Sequence, residues 1–179
     1  MIRLERINDI DNQHLEPLIE LYTQAFPVEE RRETAQLKRL IANKPDMYFN
    51  AIIEGGENLA GLFVYWDLGD FYYLEHLAVY AEMRNRKIGQ QLLDYIHTHL
   101  NKPQVLEVEP VADEMTERRV NYYLRNGYDI ADKDYFQPSY KDKNLKGYPL
   151  WLMAKPAMEA ALISEYAARI KAAAYHIED

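Results

Sequence analysis

The sequence predicts an α/β fold, α+β in layout: a mixed, largely antiparallel central sheet of about 6–7 strands flanked by helices. Three observations carry this reading. Between residues 47 and 80, three aromatic-rich apolar stretches follow one another across short Gly-containing turns, the pattern of an antiparallel meander. After Tyr80 the pattern changes and apolar residues recur at steps of three and four, the period of a helix. Beyond Pro103 short strand-like and helix-like stretches alternate.

Taken in order, residues 2–8 alternate weakly (Ile2, Leu4, Ile7) and form a first strand. Leu15, Leu18, Ile19, Tyr22 and Phe26 share one helical face, which Pro27 interrupts. Helical spacing resumes from Glu29 to Ala42 through Leu37, Leu40 and Ile41, and Pro45 ends it. The meander comprises 47–54, 59–68 and 71–80, with reversals at Gly55-Gly56-Glu57-Asn58 and Leu68-Gly69-Asp70. Ile88, Leu92, Leu93 and Ile96 mark a helix over 87–100, Val105 to Glu109 a short strand, and 114–126 a helix closed by Asn126-Gly127. Strands at 128–136 and 148–153 enclose a polar loop, Gln137 to Gly147. An Ala-rich amphipathic helix follows from Pro156 to Tyr175, with Met158, Leu162, Tyr166 and Ile170 at four-residue steps. Its apolar face packs on the domain or, in the alternative, forms a homodimer contact.

The chain has 179 residues, 48% hydrophobic and 28% charged, which suits one well-buried core and is short for two. With no linker or repeat in view, residues 1–155 are expected to form one domain with the helix of 156–179 packed on it. No apolar run approaches the roughly 20 residues that span a bilayer, and the charged N-terminus has no signal-peptide core. The expected address is the cytoplasm, away from membranes. The absence of cysteine excludes disulfides, thiolate nucleophiles and zinc–thiolate sites. Of the five histidines only His97 and His99 lie close, at diverging helical positions, so no metal site is expected. A net charge of −8 repels nucleic acid and favours cationic small molecules.

The informative stretch is Leu74 to Leu93, a strand running through a cationic turn into a helix. The first amides of a helix have no internal partner and, with the macrodipole, make a site for phosphate. Arg84, Arg86 and Lys87 add three positive charges there, and Gly89, lacking a Cβ, permits close approach. The feature reads as a diphosphate cradle. The run Leu77-Ala78-Val79 followed by Arg84-Asn85-Arg86-Lys87-Ile88-Gly89 resembles the acyl-CoA signature of the GNAT superfamily of N-acetyltransferases, bacterial type. That signature reads Arg/Gln-x-x-Gly-x-Gly/Ala; here Lys87 replaces its first glycine, and its ammonium offers a direct phosphate contact. Asn121-Tyr122-Tyr123-Leu124-Arg125-Asn126-Gly127-Tyr128 is similar to the family's later motif Tyr-x-x-x-Gly-Phe/Tyr. Ala25 to Arg32 resembles its helix-break-helix, and Gln137-Pro138-Ser139-Tyr140 leading to Pro149 to Met153 resembles its C-terminal hairpin. The resemblance covers residues 1–155 and implies the GNAT fold.

It further implies acetyl-CoA as acyl donor, held by the backbone of Leu77, Ala78 and Val79 and by Arg84, Asn85, Arg86, Lys87, Ile88, Gly89 and Gln90, with Asn121 toward the pantetheine or acyl end. Acyl transfer to an amine needs a neutral nucleophile, donors for the carbonyl oxygen and a proton for the leaving thiolate. The resemblance places Glu75 as the base that meets the first need, and Tyr123 as the general acid. His76 is the rival base, and Glu107 and Glu109 are further candidates as a base or as anchors for a cationic substrate. The implied activity is direct transfer, in a ternary complex, to a primary amine of a small molecule, peptide or protein. The alternative is a CoA-binding sensor of the same fold without chemistry. The acceptor side is expected at Phe26 to Arg32 and Gln137 to Gly147.

Overall fold

A computed structural model describes residues 1–177. Its elements run β1 (Ile2–Arg6), α1 (Leu15–Ala25), α2 (Thr34–Asn43), β2 (Met47–Glu54), β3 (Asn58–Asp67), β4 (Tyr72–Val79), α3 (Ile88–His99), β5 (Gln104–Val108), α4 (Glu114–Arg125), β6 (Asp129–Gln137), β7 (Tyr148–Lys155) and α5 (Ala160–Ile170), the last continued by a π-helical turn over Lys171–Tyr175. Seven strands in the order β1-β2-β3-β4-β5-β7-β6 form a mostly antiparallel sheet in which β4 and β5 run parallel. This is the predicted architecture. No helix among the described residues is long and apolar enough to cross a membrane.

Two boundaries differ for identifiable reasons. The helix expected from Glu29 starts at Thr34, because Val28–Glu30 forms a 3-10 turn and Arg31 is extended (φ −144°, ψ 160°). The helix expected from Pro156 starts at Ala160, with Glu159 extended (φ −66°, ψ 151°) as its cap. Its expected last residues, 178 and 179, lie outside the described residues.

Two compact units share β4: residues 1–67 with 75–101, and residues 68–74 with those from Lys102 onward. In the first, β1 pairs antiparallel with β2 from Ile2↔Glu54 to Arg6↔Asn50, and β2 with β3 from Met47↔Trp66 to Glu54↔Asn58. Three of the apolar stripes foreseen from spacing are buried as expected: Leu15, Leu18, Ile19 and Tyr22 on α1, Leu37, Leu40 and Ile41 on α2, and Ile88, Leu92, Leu93 and Ile96 on α3. Of the stripe foreseen for the last helix only Tyr166 and Ile170 are buried, Leu162 being exposed and Met158 lying ahead of the helix. Each buried Leu or Ile contributes on the order of 1.5–3 kcal/mol.

Gly61 on β3 supports the far end of β4. A Cβ there would sit 2.1 Å from the Ala78 carbonyl oxygen, inside any tolerable contact, and the obstacle is backbone rather than a side chain. Gly61→Ala is therefore expected to cost about 1–3 kcal/mol, the usual range for overpacking. Urea denaturation would check it.

In the second unit, β4 pairs with β5 at Tyr72↔Gln104, Tyr73↔Val105 and Leu74↔Leu106. β5 then pairs antiparallel with β7 as far as Val108↔Trp151, and β7 with β6. Asp113 caps α4 in a capping box with Thr116, whose N–H donates to the Asp113 carboxylate at 2.8 Å. At the other end Gly127 (φ 87°) takes the left-handed turn. The Gly127 N–H reaches the Leu124 carbonyl and the Tyr128 N–H the Tyr123 carbonyl, a Schellman closure. Lys155 also donates to the Asn126 carbonyl at 3.0 Å. On α5, Ile163, Tyr166, Ala167 and Ile170 face inward, and the Tyr166 ring stacks on Phe71 at 3.8 Å between centroids.

Candidate active site

In the first unit the site begins with Glu75 on β4. Its side chain is fully enclosed, and so is that of Arg32, which grips it with two bonds, Nη1–Oε1 at 2.7 Å and Nη2–Oε2 at 2.8 Å. Trp66 Nε1 donates to the same carboxylate at 3.2 Å. Burial alone would raise the Glu75 pKa. The Arg32 charge, with its two hydrogen bonds to the carboxylate, outweighs it and holds the group below the usual carboxylate range. A carboxylate so enclosed and so stabilised in its ionised form is a poor proton acceptor. The base role expected of Glu75 therefore does not suit this geometry; the residue is half of a buried ion pair.

His76 does not replace it. Its Nε2 donates to the Glu30 carbonyl at 3.0 Å, and its ring packs on Phe26 and Tyr22 at 4.4 and 5.2 Å between centroids. The Arg32 N–H donates to the Tyr22 hydroxyl, whose pKa burial pushes up to about 12. Glu75 and His76 thus fasten the segment Phe26 to Arg32 onto β4. The contacts of Arg32 and Trp66 with Glu75 escaped the sequence reading because nothing periodic links either residue to it.

Leu77, Ala78 and Val79 lie past the last β4–β5 pair; Ala78 is buried and its two neighbours half-buried. The Tyr80 N–H closes on the Ala60 carbonyl at 2.9 Å, and a 3-10 turn at Ala81–Met83 leads to Arg84, Asn85, Arg86 and Lys87, all exposed. Asn85 (φ 67°) and Lys87 (φ 57°) are left-handed. Lys87 thus takes, as an L-residue, a backbone conformation natural to glycine. No side chain caps α3, and its first backbone bond runs from the Gln91 N–H to the Lys87 carbonyl at 2.9 Å. The amides of the opening turn, at Ile88, Gly89 and Gln90, precede that bond and lie at the positive end of the helix. Ile88, buried at 2% exposure, pins the turn; Gln91 Nε2 donates to the Arg86 carbonyl, and Arg86 pairs with Glu54 at 3.3 Å. Outward-pointing backbone amides thus follow directly on the exposed charges of Arg84, Arg86 and Lys87, an arrangement whose electrostatics favour an anion.

In the second unit α4 carries Asn121, exposed, and Tyr123, half-buried. The Tyr123 ring meets Tyr128 edge-on at 5.6 Å and Tyr122 at 5.1 Å. Its hydroxyl makes no hydrogen bond among the described residues, and burial raises its pKa. At neutral pH it is a protonated phenol with its proton available. Glu107 on β5 accepts the hydroxyls of Tyr73 and Tyr175. Glu109 pairs at the surface with Arg119 at 3.4 Å. The tyrosines around Glu107 went unread: Tyr73 shares strand parity with Glu75, a faint signal, and Tyr175 gives none.

The model of the acetyltransferase (GNAT) family matches residues 15–128. YjbC of Bacillus subtilis, a candidate acetyltransferase, is 30% identical over 114 residues, 63% of this chain. The match spans 56% of that relative's own length. A solved GNAT-family candidate acetyltransferase from Bacteroides thetaiotaomicron superposes with a TM-score of 0.91 at 32% identity, covering 98% of this chain and 99% of that one. An aminoglycoside 6'-N-acetyltransferase solved with coenzyme A shares the fold alone, with a TM-score of 0.61 at 18% identity over 88% of this chain and 98% of that one.

Proposed function

The chain belongs to the acetyltransferase (GNAT) family, and from that premise we propose that it transfers an acetyl group from acetyl-CoA to a primary amine by direct attack in a ternary complex. The observation that carries the proposal is the cationic turn Arg84 to Lys87 opening α3. In this reading the backbone of Leu77, Ala78 and Val79 pairs with the pantetheine arm in the manner of an added strand. Arg84, Asn85, Arg86, Lys87, Ile88, Gly89 and Gln90 hold the diphosphate, and Asn121 contacts the cofactor's pantetheine or acyl end. Residues 1–155 form the catalytic domain, with the segment from 156 packed on it.

The amine nitrogen attacks the thioester carbonyl carbon, the carbon–sulfur bond breaks, and Tyr123 protonates the departing thiolate. The proton lost by the amine nitrogen returns through solvent to the Tyr123 phenolate, so the step balances. Glu75 is assigned as a positioning residue: through Arg32 it fixes the segment Phe26 to Arg32, which borders the acceptor. Release of free thiol from acetyl-CoA with a panel of amines tests the proposal, with thermal shifts on coenzyme A read in parallel. Thiol release with at least one amine supports transfer. Binding without release on any amine favours the sensor alternative, and no binding removes both.

Lys87 supplies a separate check. A left-handed L-residue costs roughly 1–2 kcal/mol, part of which glycine would regain. An exposed ion pair to phosphate contributes about 1 kcal/mol at most, close to fivefold in affinity. Lys87→Gly is expected to melt no lower than the parent protein and to bind coenzyme A about fivefold more weakly. Scanning calorimetry and a binding isotherm would read the two effects apart.

A further inference from the structure

In the second unit the loop between β6 and β7 is fixed at its neck. Residues 141 to 146 are all exposed, whereas Gln137 and Tyr140, at its start, are buried. At its other end Gly147 lies so close to the Gln137 backbone that a Cβ there would fall 1.6 Å from the carbonyl oxygen. Whatever fixes Gln137 therefore fixes both sides of the neck. Gln137 Nε2 donates to the Tyr175 hydroxyl at 2.9 Å. The Tyr140 hydroxyl donates to it at 3.4 Å, with the two rings 4.6 Å apart between centroids. Tyr175 donates in turn to Glu107 on β5 at 2.5 Å, beside the Tyr73 hydroxyl, which donates to the same carboxylate oxygen. Burial, with the Glu107 charge adding to it, pushes the Tyr175 pKa well up, so the hydroxyl stays a donor. Tyr175 reaches this position through the π-helical turn Lys171–Tyr175, closed by the His176 N–H on the Lys171 carbonyl at 2.9 Å. Such turns are rare and recur at functional sites.

Packing α5 in place does not require this hydroxyl. Ile163, Tyr166 and Ile170 already give the helix a buried face. An apolar side chain at 175 would extend that face without the cost of sheltering a carboxylate. A buried hydrogen-bond network does what apolar contact does not: it selects one arrangement of the groups it joins. The arrangement selected here is that of the loop. The loop stands beyond the carboxyl end of β5, because β5 pairs with β7 only as far as Val108↔Trp151, and Tyr148 to Leu150 pair with β6 alone. Ligands of open α/β sheets bind outside the carboxyl ends of the strands.

We infer that Tyr175, oriented by Glu107, is a positioning residue that holds the loop 137–147 in the form that receives the amine acceptor. The inference rests on the amine transfer proposed above. The C-terminal segment then governs acceptor binding rather than the rate of transfer. Tyr175→Phe keeps the ring and deletes the hydroxyl. Hydrogen–deuterium exchange on the full chain should show the amides of residues 138–147 exchanging about fivefold faster, with α4 and β5 unchanged. In the acetyl-transfer assay KM for the amine most rapidly acetylated in the panel should rise about threefold or more, with kcat and KM for acetyl-CoA within about twofold of the parent. Gln137→Met keeps the length of the side chain without its donor and should loosen the same amides. The two substitutions together should cost no more than Tyr175→Phe alone, because both break the same bond. Unchanged exchange in the loop, faster exchange throughout the second unit, or a loosened loop with an unchanged amine KM would each overturn the inference. Should Tyr175→Phe fail to fold, Gln137→Met decides by the same readings. If the parent protein acetylates no amine, the proposed reaction falls, and the exchange readings alone decide whether Tyr175 holds the loop.

Discussion

Tyr123→Phe is expected to lower turnover by about 10²-fold, within the range for loss of a positioned general acid, while leaving coenzyme A affinity nearly intact. The substitution removes one oxygen and keeps the ring that packs edge-on against Tyr128. Because the hydroxyl makes no hydrogen bond among the described residues, its loss leaves no buried partner unsatisfied, and stability should move little. The Schellman closure over Gly127 is made by backbone groups and is untouched. A fall in kcat without a fall in melting temperature or in coenzyme A affinity isolates the proton-donor role. Full turnover in the variant would remove that role from Tyr123 altogether.

The second large effect is on stability. Arg32→Ala and Glu75→Ala should each cost about 3–5 kcal/mol, because each leaves an enclosed charge without its counterpart. The paired replacement Arg32→Met with Glu75→Leu should cost far less than the sum, since it removes both charges and keeps apolar volume. The pH dependence has a definite sign. The folded Glu75 pKa lies below the unfolded value, so the pair's contribution is fully present above about pH 4.3 and is lost as pH falls from there toward the folded pKa. The Met/Leu variant should lack that part of the acid slope. Urea midpoints for the four proteins between pH 7 and pH 3 would settle it: single variants within 1 kcal/mol of the parent would mean the pair contributes little.

The periodic part of the molecule was legible in the sequence. Ile88, Leu92, Leu93 and Ile96 declared α3 by spacing alone, and the aromatic-rich apolar stretches within 47–80, parted by Gly-containing turns, declared three strands. The cationic turn was legible because its charges and its glycine are contiguous. What spacing cannot carry is a pairing between distant positions. Arg32 and Glu75 are 43 residues apart and Tyr73 and Tyr175 are 102 apart, and each contact exists only once the chain has folded. Glu75 therefore read as an available carboxylate, when a guanidinium from the neighbouring loop already occupies both its oxygens. Gly61 passed as an ordinary member of an apolar run, because its meaning lies in a carbonyl on the next strand.

The wide turn at the end of α5 fixes a phase relation. An ordinary helix advances about 100° per residue, and a turn closed five residues back takes up one residue more than the usual repeat. Shortening the chain by a single alanine among Ala172, Ala173 and Ala174 would let the helix continue at normal pitch and swing Tyr175 about 100° around its axis, off the Glu107 oxygen. The spacing between Ile170 and Tyr175 thus matters more here than which small residues fill it, and this stretch should tolerate substitution better than deletion.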